Sequence, residues 1–84
     1  MSDIPEKPYG TVVAQTGVNL RQYPSTDSKK LGSLEQNTRV GLRCKVRAQL
    51  IQGNEIWYKL RDRDAWVSAR WVENTGTVSF CQDM

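Results

Sequence analysis

The sequence contains no histidine. Its absence removes the commonest general base and the commonest metal ligand, and with them every catalytic triad that depends on imidazole. Cysteine is nearly as scarce. Cys44 and Cys81 are too few for a four-ligand zinc site without histidine, and too far apart for a C-x-x-C redox motif. No apolar run approaches the roughly 18 residues that a membrane-spanning helix needs. The opening MSDIPEKPYG holds neither an apolar stretch nor a small-residue cleavage site, so no signal peptide is expected within this chain. Gly-rich phosphate loops and dinucleotide fingerprints are missing as well. Ser25, Ser28 and Ser68 have no histidine to activate them, and a cysteine nucleophile would lack its base. A non-catalytic protein without metal or cofactor is expected.

What is present is a chain of 84 residues, enough for one domain. With 38% hydrophobic and 25% charged residues it falls in the ordinary globular range. A net charge of +3 fits contact with a polyanion and equally fits simple solubility. Residues 1–8, with Pro5 and Pro8 among charges, read as a flexible lead-in. From Tyr9 onward short apolar pieces alternate with turn formers, and no helical period emerges. Strands are expected at Thr11–Ala14, Val18–Arg21 and Leu31–Leu34, with a long loop of turn formers over Tyr23–Ser28. Gly53-Asn54 is a two-residue hairpin signal between Leu50–Gln52 and Glu55–Leu60. Five to six short antiparallel strands at this spacing predict an all-β domain, a small partly open barrel.

The clearest strand runs from Arg39 to Ala48. Val40, Leu42, Cys44, Val46 and Ala48 share one parity, while Arg39, Arg43, Lys45 and Arg47 share the other. A period of two predicts a core face and a basic stripe facing water. The stripe is a candidate site for an acidic polymer, though a solvated, edge-protecting face is the simpler expectation. Single-stranded nucleic acid would want aromatics interleaved on that strand, and none is there, so nucleic acid is not expected as a partner. The inward parity of Cys44 leaves two alternatives: one bond to Cys81 or two separate buried thiols. A disulfide would suit a small domain with a thin stability margin and would point to an oxidising compartment. Reduced thiols would fit a cytoplasmic home.

In order, Gly10-Thr11-Val12, Val18-Asn19-Leu20-Arg21, Pro24-Ser25-Thr26, Gly32-Ser33-Leu34, Trp57-Tyr58-Lys59-Leu60 and Ala65-Trp66-Val67-Ser68, closing at Trp71, resemble the bacterial SH3-like (SH3b) domains. The likeness runs from Tyr9 to Val72. Gln22-Tyr23 stand where the family commonly has Ser-Gly, and Ala65 replaces the usual glycine before Trp66. The resemblance implies an SH3-like barrel over 9–73 and a C-terminal extension over 74–84 packed on it. The late Cys81 is similar to that of secreted actinobacterial members, in which it pairs with a cysteine on a middle strand.

It further implies a binding module, in monomeric form, that recognises cell-wall peptide or glycopeptide in the envelope or outside it. Tyr23, Trp57 and Trp71 are the expected walls of a peptide groove, by analogy with eukaryotic relatives. Trp66 is expected to be structural, and Asn19 and Arg21 to tie the loop by hydrogen bonds. The alternative function is an adaptor or subunit that docks a partner peptide in the envelope or in a secretion or toxin system.

Overall fold

A computed structural model describes residues 6–83, so most of the expected lead-in lies outside the described residues. Seven strands form one curled antiparallel sheet: β1 (Tyr9–Val12), β2 (Val18–Arg21), β3 (Lys30–Leu34), β4 (Arg39–Ile51), β5 (Asn54–Leu60), β6 (Trp66–Ser68) and β7 (Val72–Thr75). Their order is β3-β2-β6-β5-β4-β1-β7. The fold is the small SH3-like all-β architecture. The count exceeds the expected five to six because Val72–Thr75 pairs with β1 along its whole length. β1 also begins two residues earlier than its β-branched residues suggest.

The barrel core is Val12, Val18, Leu20, Leu42, Tyr58, Leu60, Ala65, Val67, Val72 and Val78. It draws on most of the strands and on the tail, so no single hairpin could bury it alone. Burial pushes the Tyr58 phenol above its ordinary pKa, and its hydroxyl donates to Asn74 Oδ1 at 3.2 Å. Ala65 is 1% exposed, and the non-glycine residues with positive φ among those described are Asn37 and Gln52. Alanine therefore fits position 65, where no left-handed turn is asked of it.

β4 departs most from expectation. It extends to Ile51, and its pairing with β5 jumps from Leu42↔Leu60 to Cys44↔Lys59, leaving Arg43 as an extra residue in a bulge. Residues directly opposite in a ladder share a face. Leu42 therefore lies with Leu60 on the core side, whereas Cys44 lies with Lys59 on the other. Lys45 and Arg47, opposite Tyr58 and Ile56, turn toward the core side. One inserted residue has exchanged the two faces, and the uniform parity from Arg39 to Ala48 does not hold. A second irregularity between Arg47 and Ile51 moves the hairpin turn to Gln52-Gly53, one residue before the expected Gly53-Asn54. Both turn residues have positive φ, 46° and 87°, as a type I′ hairpin requires.

The tail takes the β4 edge that β1 leaves free. The Lys45 N–H donates to Ser79 O at 3.0 Å, and Phe80 bridges Lys45 in parallel. Val78, 3% exposed, enters the core, and Cys81 is bonded to Cys44 with a Cα–Cα distance of 4.8 Å. Phe80 lies beneath two cations, the Lys45 ammonium at 4.8 Å and the Arg47 guanidinium at 4.6 Å from its ring centre. Among the described residues no helix is long and apolar enough to cross a membrane.

Candidate functional site

The face of the sheet opposite the core carries a groove of about 300 Å³. Trp57 pairs with Ser68, and Arg21 pairs with Trp66, so these side chains stand on one face. Trp57 and Trp71 both line the groove. Trp57 is 2% exposed and forms its inner wall, with the indole Nε1–H donating to Gln49 O at 2.9 Å. Trp71 is half-buried at the end of a 3-10 turn, Ala69–Trp71, whose cap Ser68 Oγ accepts from the Arg70 N–H at 3.2 Å. The Arg70 guanidinium covers the Trp71 ring at 4.7 Å from its centre.

The loop after β2 forms the opposite wall. Its own hydrogen bonds shape it: the single Ser28 hydroxyl proton is shared between Tyr23 O at 2.9 Å and Ser25 O at 2.8 Å from Oγ. Gln49 Oε1 then accepts from the Thr26 N–H at 2.6 Å and from Thr26 Oγ1 at 3.0 Å. Gln49 thus holds both walls, Thr26 by its side chain and Trp57 by its backbone. Tyr23 itself is 61% exposed and does not line the groove, although Thr26 of its loop does. Asn19 and Arg21 line it too, and Arg21 ties the loop through Nη1 to Ser28 O at 3.2 Å. Thr26, Gln49, Ile51 and Ser68 carry no signal in the sequence as site residues, because the contacts that place them join segments far apart in the chain.

The expected basic stripe is dispersed. Arg39 is exposed on the segment paired with β1, and Lys45 and Arg47 are stacked on Phe80, with Arg47 Nε also 3.4 Å from Glu55. Arg43, set apart by its bulge, borders a shallower hollow of about 440 Å³ with Lys59, Arg61 and Arg63. Arg61 lies flat over Gly41, where a Cβ would come within 2.7 Å of its Cζ and push the guanidinium aside. The bulge is the physical reason that the four cations do not lie on one face, Lys45 and Arg47 having turned to the side of Phe80.

In the same hollow the Lys59 ammonium donates to Asp64 Oδ1 at 2.8 Å. That hydrogen bond, and then the charge behind it, hold the Asp64 carboxyl below its ordinary pKa. A depressed carboxyl contributes stability above its unfolded pKa and loses it as pH falls through the folded value. In an NMR pH titration Asp64 is expected to protonate at lower pH than an unpaired aspartate, and Lys59→Met to return it to the ordinary range. Unchanged titration in that variant would show the pair to be without effect in solution.

The bacterial SH3 domain family profile matches residues 16–73, more than half of the chain. The chain belongs to the bacterial SH3 domain family. No curated protein matches it as a relative. Bacterial SH3 domains are binding modules, and SH3 domains in general take peptide partners. The matched span includes both groove tryptophans and the loop with Thr26, whereas β1 and the cysteine-bearing tail lie outside it.

Proposed function

We propose that this bacterial SH3 domain is a non-catalytic module that takes an extended cell-wall peptide or glycopeptide into the Trp57–Trp71 groove. The observation that carries the reading is the meeting, in one groove, of two tryptophan rings with hydroxyl and amide groups from separate segments of the chain. The half-buried Trp71 ring, backed by the buried Trp57, offers apolar area to an extended peptide, and convergent polar groups pair with its backbone. Tyr23, exposed on the loop that Gln49 fastens, extends the contact beyond the groove. A wall ligand is what the likeness to wall-associated SH3b domains suggests. The Cys44–Cys81 bond fits the matching location, secreted or in the envelope, because structural disulfides persist where the surroundings are oxidising.

A chemical-shift titration with wall stem peptides and muropeptides tests this. The indole signals of Trp57 and Trp71 are expected to move most, and Trp71→Ala to weaken binding by about tenfold or more. Shifts confined to Arg43, Lys45 and Arg47 would put the ligand on the basic surface and remove the groove reading. Saturation by a partner-protein peptide, with no response to wall fragments, would keep the groove and make the domain an adaptor.

A further inference from the structure

Among the described residues Arg21 is the one charged side chain lining the groove. It is half-buried on β2, and its place opposite Trp66 turns it toward the face that carries Ser68 and Trp57. Among the described residues the ion pairs are Arg47–Glu55 and Lys59–Asp64, so no carboxylate neutralises Arg21. Nη1 donates to Ser28 O at 3.2 Å, which fixes the head group against the loop. A guanidinium carries five N–H donors, so most remain for another acceptor. The other polar lining is neutral: Thr16, Asn19, Thr26 and Ser68.

We infer that Arg21 is the anchor for a carboxylate of the bound peptide. A partly desolvated cation without a counter-ion is costly, and a ligand that supplies one recovers that cost on binding. A carboxylate meets the planar fork with two parallel charge-assisted hydrogen bonds, about twice as strong as neutral ones. Arginine also pairs bidentately with phosphate, but the single charge of Arg21 matches a monoanionic carboxylate better than a dianion, and among the described residues no second cation lines the groove. The tryptophans then take the apolar part of the peptide, and Arg21 sets which end of it enters.

The inference rests on the groove reading, and the test separates the two. One wall stem peptide is prepared in four forms: all carboxylates free, C-terminus amidated, side-chain carboxylates amidated, and all amidated. Binding is followed by the Trp57 and Trp71 indole signals. Full amidation is expected to weaken affinity by about tenfold or more, and the two partial forms show whether the C-terminus or a side chain makes the contact. Arg21→Gln is expected to remove the difference between free and amidated peptide, and Arg21→Lys to keep part of it. Equal affinity of all four forms, with the indole signals still moving, would overturn the carboxylate anchor and leave the groove reading intact. Failure of every form to move the indoles would overturn both. Because the amidation series needs no substitution, loss of folding in a variant does not blunt it.

Discussion

Reduction of the Cys44–Cys81 bond is expected to lower the melting temperature by about 15–30 °C. The bond joins residues 37 apart. On the chain-entropy account, closing a loop of that length removes enough freedom from the unfolded chain to contribute about 4 kcal/mol. Small domains hold only about 5–15 kcal/mol in all, so this is a large share. The effect acts mainly through the unfolded state. In the folded state Val78 stays in the core, Phe80 stays beneath Lys45 and Arg47, and Ser79 O still accepts from the Lys45 N–H. The reduced protein should therefore remain folded at room temperature, with faster hydrogen exchange at the Lys45 amide than in the oxidised form. Paired melts with and without reductant measure the shift, and the double variant Cys44→Ala/Cys81→Ala serves as a control indifferent to reductant. Identical melts for the wild type, with two alkylatable thiols by mass spectrometry, would remove both the staple and the argument for an oxidising home.

That bond shows how far sequence reasoning reaches in β4. Cys44 is buried, 3% exposed, but not on the expected core face: the bulge sets it beside Lys59 on the other side, where it bonds the tail. Arg39, Arg43, Lys45 and Arg47 keep a perfect two-residue period straight through the bulge, so nothing in the residue order marks Arg43 as supernumerary. The bulge becomes visible only through its partner strand, where Leu60 and Lys59 are adjacent while Leu42 and Cys44 are not. Tertiary pairing decides it: Leu42 must face the core with Leu60, and Cys44 must reach the tail. The hairpin slips by one residue for a similar reason. Gln52-Gly53 and Gly53-Asn54 are both acceptable turns, and the second irregularity of β4 selects the former.

The groove was legible in its aromatics and hidden in its polar frame. Tryptophans are rare enough in this chain that Trp57 and Trp71 stand out as candidate walls, and both line the groove. Tyr23 belongs to the loop beside them, yet its side chain points away into solvent. Local turn chemistry predicts a loop over Tyr23–Ser28 but says nothing of what fastens it. The fastening residue, Gln49, is 23 positions from Thr26 and sits in what reads as an ordinary run between strand and turn. A glutamine with two acceptor contacts to one threonine leaves no trace in hydrophobic period or composition.

Trp57→Ala is expected to cost about 3–5 kcal/mol, the range for truncating a large buried aromatic. Trp57 is among the largest fully buried side chains, yet it packs outside the main core cluster, on the groove side of the sheet. Its loss empties the inner wall and strips Gln49 O of its indole donor, so stability and binding should fall together. Two milder variants separate packing from hydrogen bonding. Trp57→Phe keeps most of the apolar volume and removes the N–H that Gln49 O accepts, so the cost beyond packing should be about 1 kcal/mol, the net worth of one hydrogen bond. Gln49→Ala keeps the backbone carbonyl, and with it the Trp57 bond, but frees Thr26. That variant should melt within a few degrees of wild type while binding peptide more weakly, because one wall of the groove is no longer held. Urea titrations give the stabilities, with equal m-values as the check that the transitions are comparable. A Trp57→Ala loss below about 1 kcal/mol would mean that the indole is not packed as a wall at all, whereas unaltered binding by Gln49→Ala would show that the Thr26 loop takes no part in holding the ligand.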